Sequence, residues 1–154
     1  MKPVSKVIAA AALAAVPVSA FAQDVEKSVA ARQAQMKLYA FYIGQLGAMA
    51  KGAVDYDAEA AGKAAASLNA LAGLDGSKMW PPASSNAELG DATRALPAIW
   101  STYPAVVEKS KEFKSAAAAM ADAAGGGLEA LQGAMGPLGK SCGGCHEDFR
   151  QPKE

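Results

Sequence analysis

The sequence predicts an all-α chain folded as an up-down-up-down antiparallel four-helix bundle. Three observations point there. Alanine, the best helix former, is abundant along the chain. Apolar residues recur at steps of three and four, with no strand-like alternation. Glycine-marked breaks at Gly52, Gly73 and Gly125–Gly127 cut the chain into long helical stretches.

The stop signals set the order of elements. A first helix is expected over Asp24–Lys51, with Val29, Met36, Tyr39, Ile43, Leu46 and Ala50 on one apolar stripe that Arg32 interrupts. A second is expected to start with Asp57 as N-cap and to run through Leu68 and Leu71 to Ala72, where Gly73 closes it. Residues 74–95, rich in Gly, Pro, Ser and Asp, read as a long loop anchored by Met79, Trp80 and Leu89. Loops of that length are uncommon unless they cover something. The third helix is expected over Pro97–Ala124. Pro97 suits a first turn, whereas Pro104 predicts a kink or a broken turn. Ile99, Tyr103, Val106, Val107, Phe113, Ala117 and Met120 supply its buried side. The last helix is expected over Leu128–Phe149, with a second kink at Pro137. Short connections between the first and second helices, and between the third and fourth, favour antiparallel neighbours.

The chain opens with Lys2 and Lys6, an apolar run from Val7 to Val16, and Ala20-Phe21-Ala22 before Gln23. This is the order of a secretory signal peptide, and the run is too short to cross a membrane. Residues 1–22 are therefore expected to be a signal peptide, and residues 23–154 an exported domain with the bacterial periplasm as its compartment. The exported part carries 13 basic and 15 acidic residues, a net charge of −2. Without a basic stripe or basic–aromatic interleaving, nucleic acid is not an expected partner. Nor does the mature part hold an apolar stretch long enough for a membrane span.

Both cysteines and the only histidine fall within "KSCGGCHEDFR" at the end of the last helix. On a helix Cys142, Cys145 and His146 project from neighbouring positions on one side. C-x-x-C-H is the attachment motif of haem c. The two thiols add across the two haem vinyl groups, and the adjacent imidazole reaches the iron from one face. Gly143 and Gly144 carry no side chain to obstruct the porphyrin edge. A zinc site needs further Cys or His ligands, and the chain has none. A thioredoxin-type C-x-x-C begins a helix in a βαβ setting. A disulfide here would close a trivial loop on a helix. One covalent haem c is the expected cofactor.

A haem motif at the C-terminal end of a four-helix chain resembles the class II c-type cytochromes, the cytochrome c′ superfamily. Beside "CGGCHEDFR", the resemblance rests on "RQAQM" in the first helix, "AKGAVDYDAEA" at the first turn, "PAIW" opening the third helix and "LQGAMGPLGKSC" leading into the motif. It spans the whole mature chain and looks closest to the low-spin cytochrome c-556 subgroup. Pro104 and the glycine run before the last helix depart from the pattern. The resemblance implies a haem held by the last helix at one end of the bundle, with the first helix over its other face. The function implied is electron transfer or, with five-coordinate iron, binding of nitric oxide or carbon monoxide. It implies no enzymatic activity. Transient redox proteins are the partners it implies, and a homodimer through the first two helices recurs among relatives, although the stripes here do not decide it.

The distal side then carries the functional choice. In an up-down-up-down bundle the start of the first helix lies beside the end of the fourth. Met36 and Met49 are about 20 Å apart along a helix, so Met36 is the one placed over the iron. Met120 lies at the opposite end of the bundle, and Met135 shares a helix with His146. Met79, in the loop at the haem end, is the rival. The resemblance also sets Met36 at the distal position, where low-spin members place a ligating Met. Arg32, on an apolar stripe, calls for an anionic partner, and the resemblance places Arg32 and Gln33 near the haem propionates. Arg150, one turn beyond His146, corresponds to a basic residue beside the proximal imidazole in relatives. Two readings stand: an electron carrier ligated by His146 and Met36, or a gas-binding module ligated by His146 alone, with Met36, Tyr39 and Ile43 crowding the pocket. A peroxidase is disfavoured, because no second histidine or distal acid–base pair is present.

Overall fold

In a computed structural model, residues 18–153 are described. Residues 1–17 of the expected signal peptide, residues 1–22, lie outside them. Helix α1 runs Val18–Ala50, beginning about two turns before the expected start. Helix α2 runs Ala58–Ala72. The Asp57 carboxylate accepts from the Ala60 amide at 2.9 Å, as the sequence suggested for an N-cap. Asp57→Ala is expected to cost about 1 kcal/mol, read as a lower urea midpoint of unfolding. An unchanged midpoint would show that the cap carries nothing.

Residues 74–95 are not the irregular loop expected. They contain a 3₁₀ turn at Ser77–Met79, a short helix α3 at Asn86–Leu89 and a second 3₁₀ turn at Gly90–Ala92. The signal for α3 was present in the sequence as Ser85 and Glu88, which form a reciprocal capping box. Helix α4, Ala98–Ser101, ends at Thr102, and helix α5, Tyr103–Ala123, restarts with Pro104 in its first turn. The broken turn expected at Pro104 is found. Proline has no N–H to continue α4 but suits a helix start. Helix α6 runs Leu128–Phe149, as expected, and continues without a break through Pro137. Gly133, whose carbonyl loses its helical partner there, is solvent-exposed together with Pro137, so water can satisfy it.

Four long helices, α1, α2, α5 and α6, build the bundle. Leu46, Leu68, Met120, Leu131 and Leu138 are fully buried at its centre. Ala61, Ala64, Ala65, Ala117 and Ala124 surround them, and their small side chains let the helices approach closely. Each buried leucine contributes roughly 2 kcal/mol. At the α5–α6 turn, Tyr56 Oη donates to the Ala124 carbonyl (2.8 Å) and accepts from the Gly127 amide (3.0 Å). Gly127 has φ 127°, a backbone region that side chains strongly disfavour. A second, smaller cluster stands apart at the other end: Ala95, Ile99 and Phe149, with Trp80, Trp100, Val106 and Cys145 against it. Among adjacent long helices, contact is sparsest between α1 and α6.

Candidate functional site

The C-x-x-C-H residues occupy the last two turns of α6. Cys142 and Cys145 are free thiols, each half-buried. Burial pushes both thiols above their ordinary pKa, so at neutral pH they are thiols rather than thiolates. His146 is half-buried, and burial, followed by the charges of Arg150 and Arg94, holds its imidazole below the usual value. Its free form is therefore neutral, the form that ligates a metal. A cavity of about 380 Å³, open to solvent, is lined by His146, Gly143, Glu147, Arg150, Arg94 and Pro152. A side chain at position 144 would meet Lys109 Nζ at 3.3 Å, and Lys109 itself pairs with Asp148 at 3.6 Å.

Across from α6, the stripe on α1 is buried at Arg32 and at Leu46, but Met36 between them is 40% exposed. Tyr39, one turn further, donates to the Leu71 carbonyl (3.1 Å) and packs at a tilt on Phe113 with ring centroids 4.8 Å apart; burial raises its pKa, and it lies near enough to Cys142 for an ionised thiol there to add to that shift. Gln35 donates to the same Leu71 carbonyl at 3.1 Å. These contacts tie the α1 turn that carries Met36 to α2 and α5, and the proximity of Tyr39 to Cys142 puts that turn level with the C-x-x-C-H turn of α6. The residues fit a haem on three counts: a donor set of two free thiols and one imidazole on one helix face, a core divided into two clusters, and an apolar stripe exposed only at the level of the motif. Cys142, Cys145 and His146 would hold the group.

Arg32 is 3% exposed, and the protein groups that hold it are neutral oxygens. Its Nη1 donates to Ser84 Oγ (2.8 Å) and to the Met79 carbonyl (3.3 Å), and its Nη2 to Thr93 Oγ1 (3.0 Å) and to the Ser84 carbonyl. The guanidinium lies 4.7 Å from the Trp80 ring centroid, a cation–π contact. Burial depresses its pKa, but from so high a value that the charge is retained. Arg32→Met is expected to cost roughly 3 kcal/mol, because it strands several buried oxygens. Chemical denaturation measures this, and a loss below about 1 kcal/mol would contradict it. Gln33 is exposed and donates to the Ala92 carbonyl at 2.8 Å.

The other methionines separate as geometry suggested. Met49 and Met120 are buried in the main core, and Met135 packs against it. Met79 is half-buried, with its carbonyl taken by Arg32. Arg150 is exposed and borders the His146 cavity. The sequence reading missed Ser84, Thr93, Arg94 and Gln151, which tie residues 79–96 to both α1 and the C-terminal tail. Their only signal was a polar cluster inside an apparent loop.

A four-helix bundle with this donor set at the end of its last helix defines a haem c protein. A family model described as cytochrome c′ matches residues 27–150, and the chain belongs to that family, whose members carry one covalent haem c. It is 43% identical to a cytochrome c-554 of Cereibacter sphaeroides over 154 residues, covering 98% of this chain and 99% of that one. It is 39% identical to a cytochrome c′ of the same organism, covering 94% and 97%. A cytochrome c-556 of Agrobacterium tumefaciens is 36% identical, with 86% and 100% covered. Among solved structures, a cytochrome c′ from Rhodobacter Spheriodes superposes with a TM-score of 0.81 at 38% identity, covering 84% of this chain and 98% of that one.

Proposed function

We propose that this chain is a periplasmic electron carrier with His146 and Met36 as axial ligands of a low-spin haem iron. The observation that carries the proposal is Met36 itself: an exposed methionine between the buried Arg32 and Leu46, level with the C-x-x-C-H turn, on the pair of adjacent long helices whose contact is sparsest. The bound haem supplies a one-electron ferric–ferrous couple. Cys142 and Cys145 fix its position covalently, and His146 approaches from α6. The Met36 thioether, a soft neutral ligand, favours the ferrous state and raises the potential. Tyr39, Phe113 and Ile43 wall the site with apolar surface, which keeps its dielectric low. Arg32 and Gln33 complete the reading at the propionate edge: Arg32 with a buried positive charge, Gln33 with an exposed amide. The partners are redox proteins that dock transiently. Among the described residues no helix is long and apolar enough to cross a membrane.

The second reading is a five-coordinate gas binder. It is favoured by solved relatives named cytochrome c′, two of them described as nitric oxide complexes at 29% and 30% identity. Another, at 28% identity, is described by ligand-controlled dimer dissociation, which extends the proposal to a homodimer here. The optical spectrum of the purified ferric and ferrous protein tests the choice. Low-spin bands in both states support the carrier; a high-spin ferrous spectrum with ready carbon monoxide binding replaces it with the gas binder.

A further inference from the structure

Residues Met79–Leu96 touch both sides of the site. On the α1 side, this segment receives the Arg32 donors through the Met79 carbonyl, Ser84 and Thr93. On the α6 side, the Leu96 amide donates to the Phe149 carbonyl (3.0 Å), and the Gln151 amide to the Arg94 carbonyl (2.8 Å), forming an isolated antiparallel bridge just past the end of α6. Two side chains reinforce it. Arg94 donates to the Gln151 carbonyl through Nε (2.8 Å) and through Nη2, and Asn86 Nδ2 donates to Gln151 Oε1 at 2.8 Å. Arg32 lies one turn before Met36, and Phe149 and Gln151 follow His146 within five residues. One segment is therefore fastened close to both proposed axial residues, on helices whose direct contact is sparse.

The geometry points to Arg94 as a positioning residue: by clasping the Gln151 carbonyl it fixes the spacing between the α1 turn carrying Met36 and the α6 turn carrying His146. A charged, two-pronged donor suits this, since such bonds are the stronger and more directional kind. Ligands are held in place by the groups behind them, and small displacements of those groups have large effects at the site. The inference rests on the haem lying between α1 and α6. It does not require that Met36 ligate, because a looser slot admits a small gas faster in either ligation state.

The test compares full-length holoproteins by the rate at which the ferrous form binds carbon monoxide, together with its optical spectrum. Whether Met36 ligates is read first, from the wild-type spectrum alone. Arg94→Ala should retain its haem and bind carbon monoxide roughly 3- to 30-fold faster, the range that substitutions outside a site produce through coupling. Asn86→Ala removes a neutral part of the same clasp and should shift the rate in the same direction by less. Tyr56→Phe, at the far end of the bundle, should lower the melting temperature and leave the rate alone. An unchanged rate in both Arg94→Ala and Asn86→Ala overturns the proposal. So does a change in Arg94→Ala alone, since that would trace to lost charge rather than to the clasp. A rate increase in Tyr56→Phe matching that of Arg94→Ala overturns it too, because general loosening would then suffice. Should Arg94→Ala fail to fold, Asn86→Ala decides by itself against the Tyr56→Phe control.

Discussion

Met36→Leu is expected to convert the iron from low to high spin and to open its sixth position to gases. The substitution keeps the apolar volume and removes only the sulfur, so the stripe on α1 should still pack. In the wild type, carbon monoxide can bind only while Met36 is off the iron. Minor states of this kind are populated at roughly 0.1–10%. Removing the competitor should therefore speed ferrous carbon monoxide binding by roughly 10- to 1000-fold. Met79→Leu is the matched control. Met79 is half-buried and contributes its carbonyl, not its sulfur, to the Arg32 cluster, so its substitution should leave the spectrum unchanged. If Met79→Leu changes the spin state and Met36→Leu does not, the distal helix has been misplaced. If neither does and the wild type already binds carbon monoxide readily, the gas-binding reading holds.

Cys142→Ala combined with Cys145→Ala should release the haem to acidified organic solvent, whereas the wild type should retain it. Haem extracted from the wild type would contradict covalent attachment. Stability should fall as well. A covalent haem stays on the unfolded chain, but its burial and its ligation by the protein exist only in the folded one, and the core here is already divided into two clusters around the site. Losing about 3 kcal/mol would lower the melting temperature by roughly 10 °C. Circular dichroism of the apo-form would show this as lower helicity and a broader transition. An apo-form as helical and as cooperative as the holo-form would show that the bundle closes without its cofactor.

Much of this was legible in residue order. The start of α2 at Ala58, the break at Pro104 and the start of α6 at Leu128 follow from local chemistry: an N-cap, a missing amide, a glycine that permits positive φ. Asp57 and Pro104 act within a turn of themselves, so no distant partner was needed to read them. The C-x-x-C-H chemistry was legible for the same reason, since two thiols and an imidazole on consecutive turns of one helix do not depend on the fold. Residues 74–95 were read as loop because composition averages over the Ser85–Glu88 capping box. Arg32 was assigned an anionic partner because a buried charge ordinarily needs one. The sequence had no way to show that two hydroxyls, two carbonyls and the face of Trp80 converge on it from positions 47 to 61 residues away.

By itself, then, the sequence determined the helices, their order, the haem-binding motif and the stripe on which Met36 lies. The tertiary structure alone decided what surrounds them: Met36 exposed between the buried Arg32 and Leu46, the Arg32 charge hydrogen-bonded by a cage of neutral oxygens, and the Arg94–Gln151 clasp joining the tail to residues 79–96. The physical reason is range. Helix formation and capping are decided within about four residues along the chain, whereas burial and the pairing of polar groups depend on chain segments that meet only after the helices have packed.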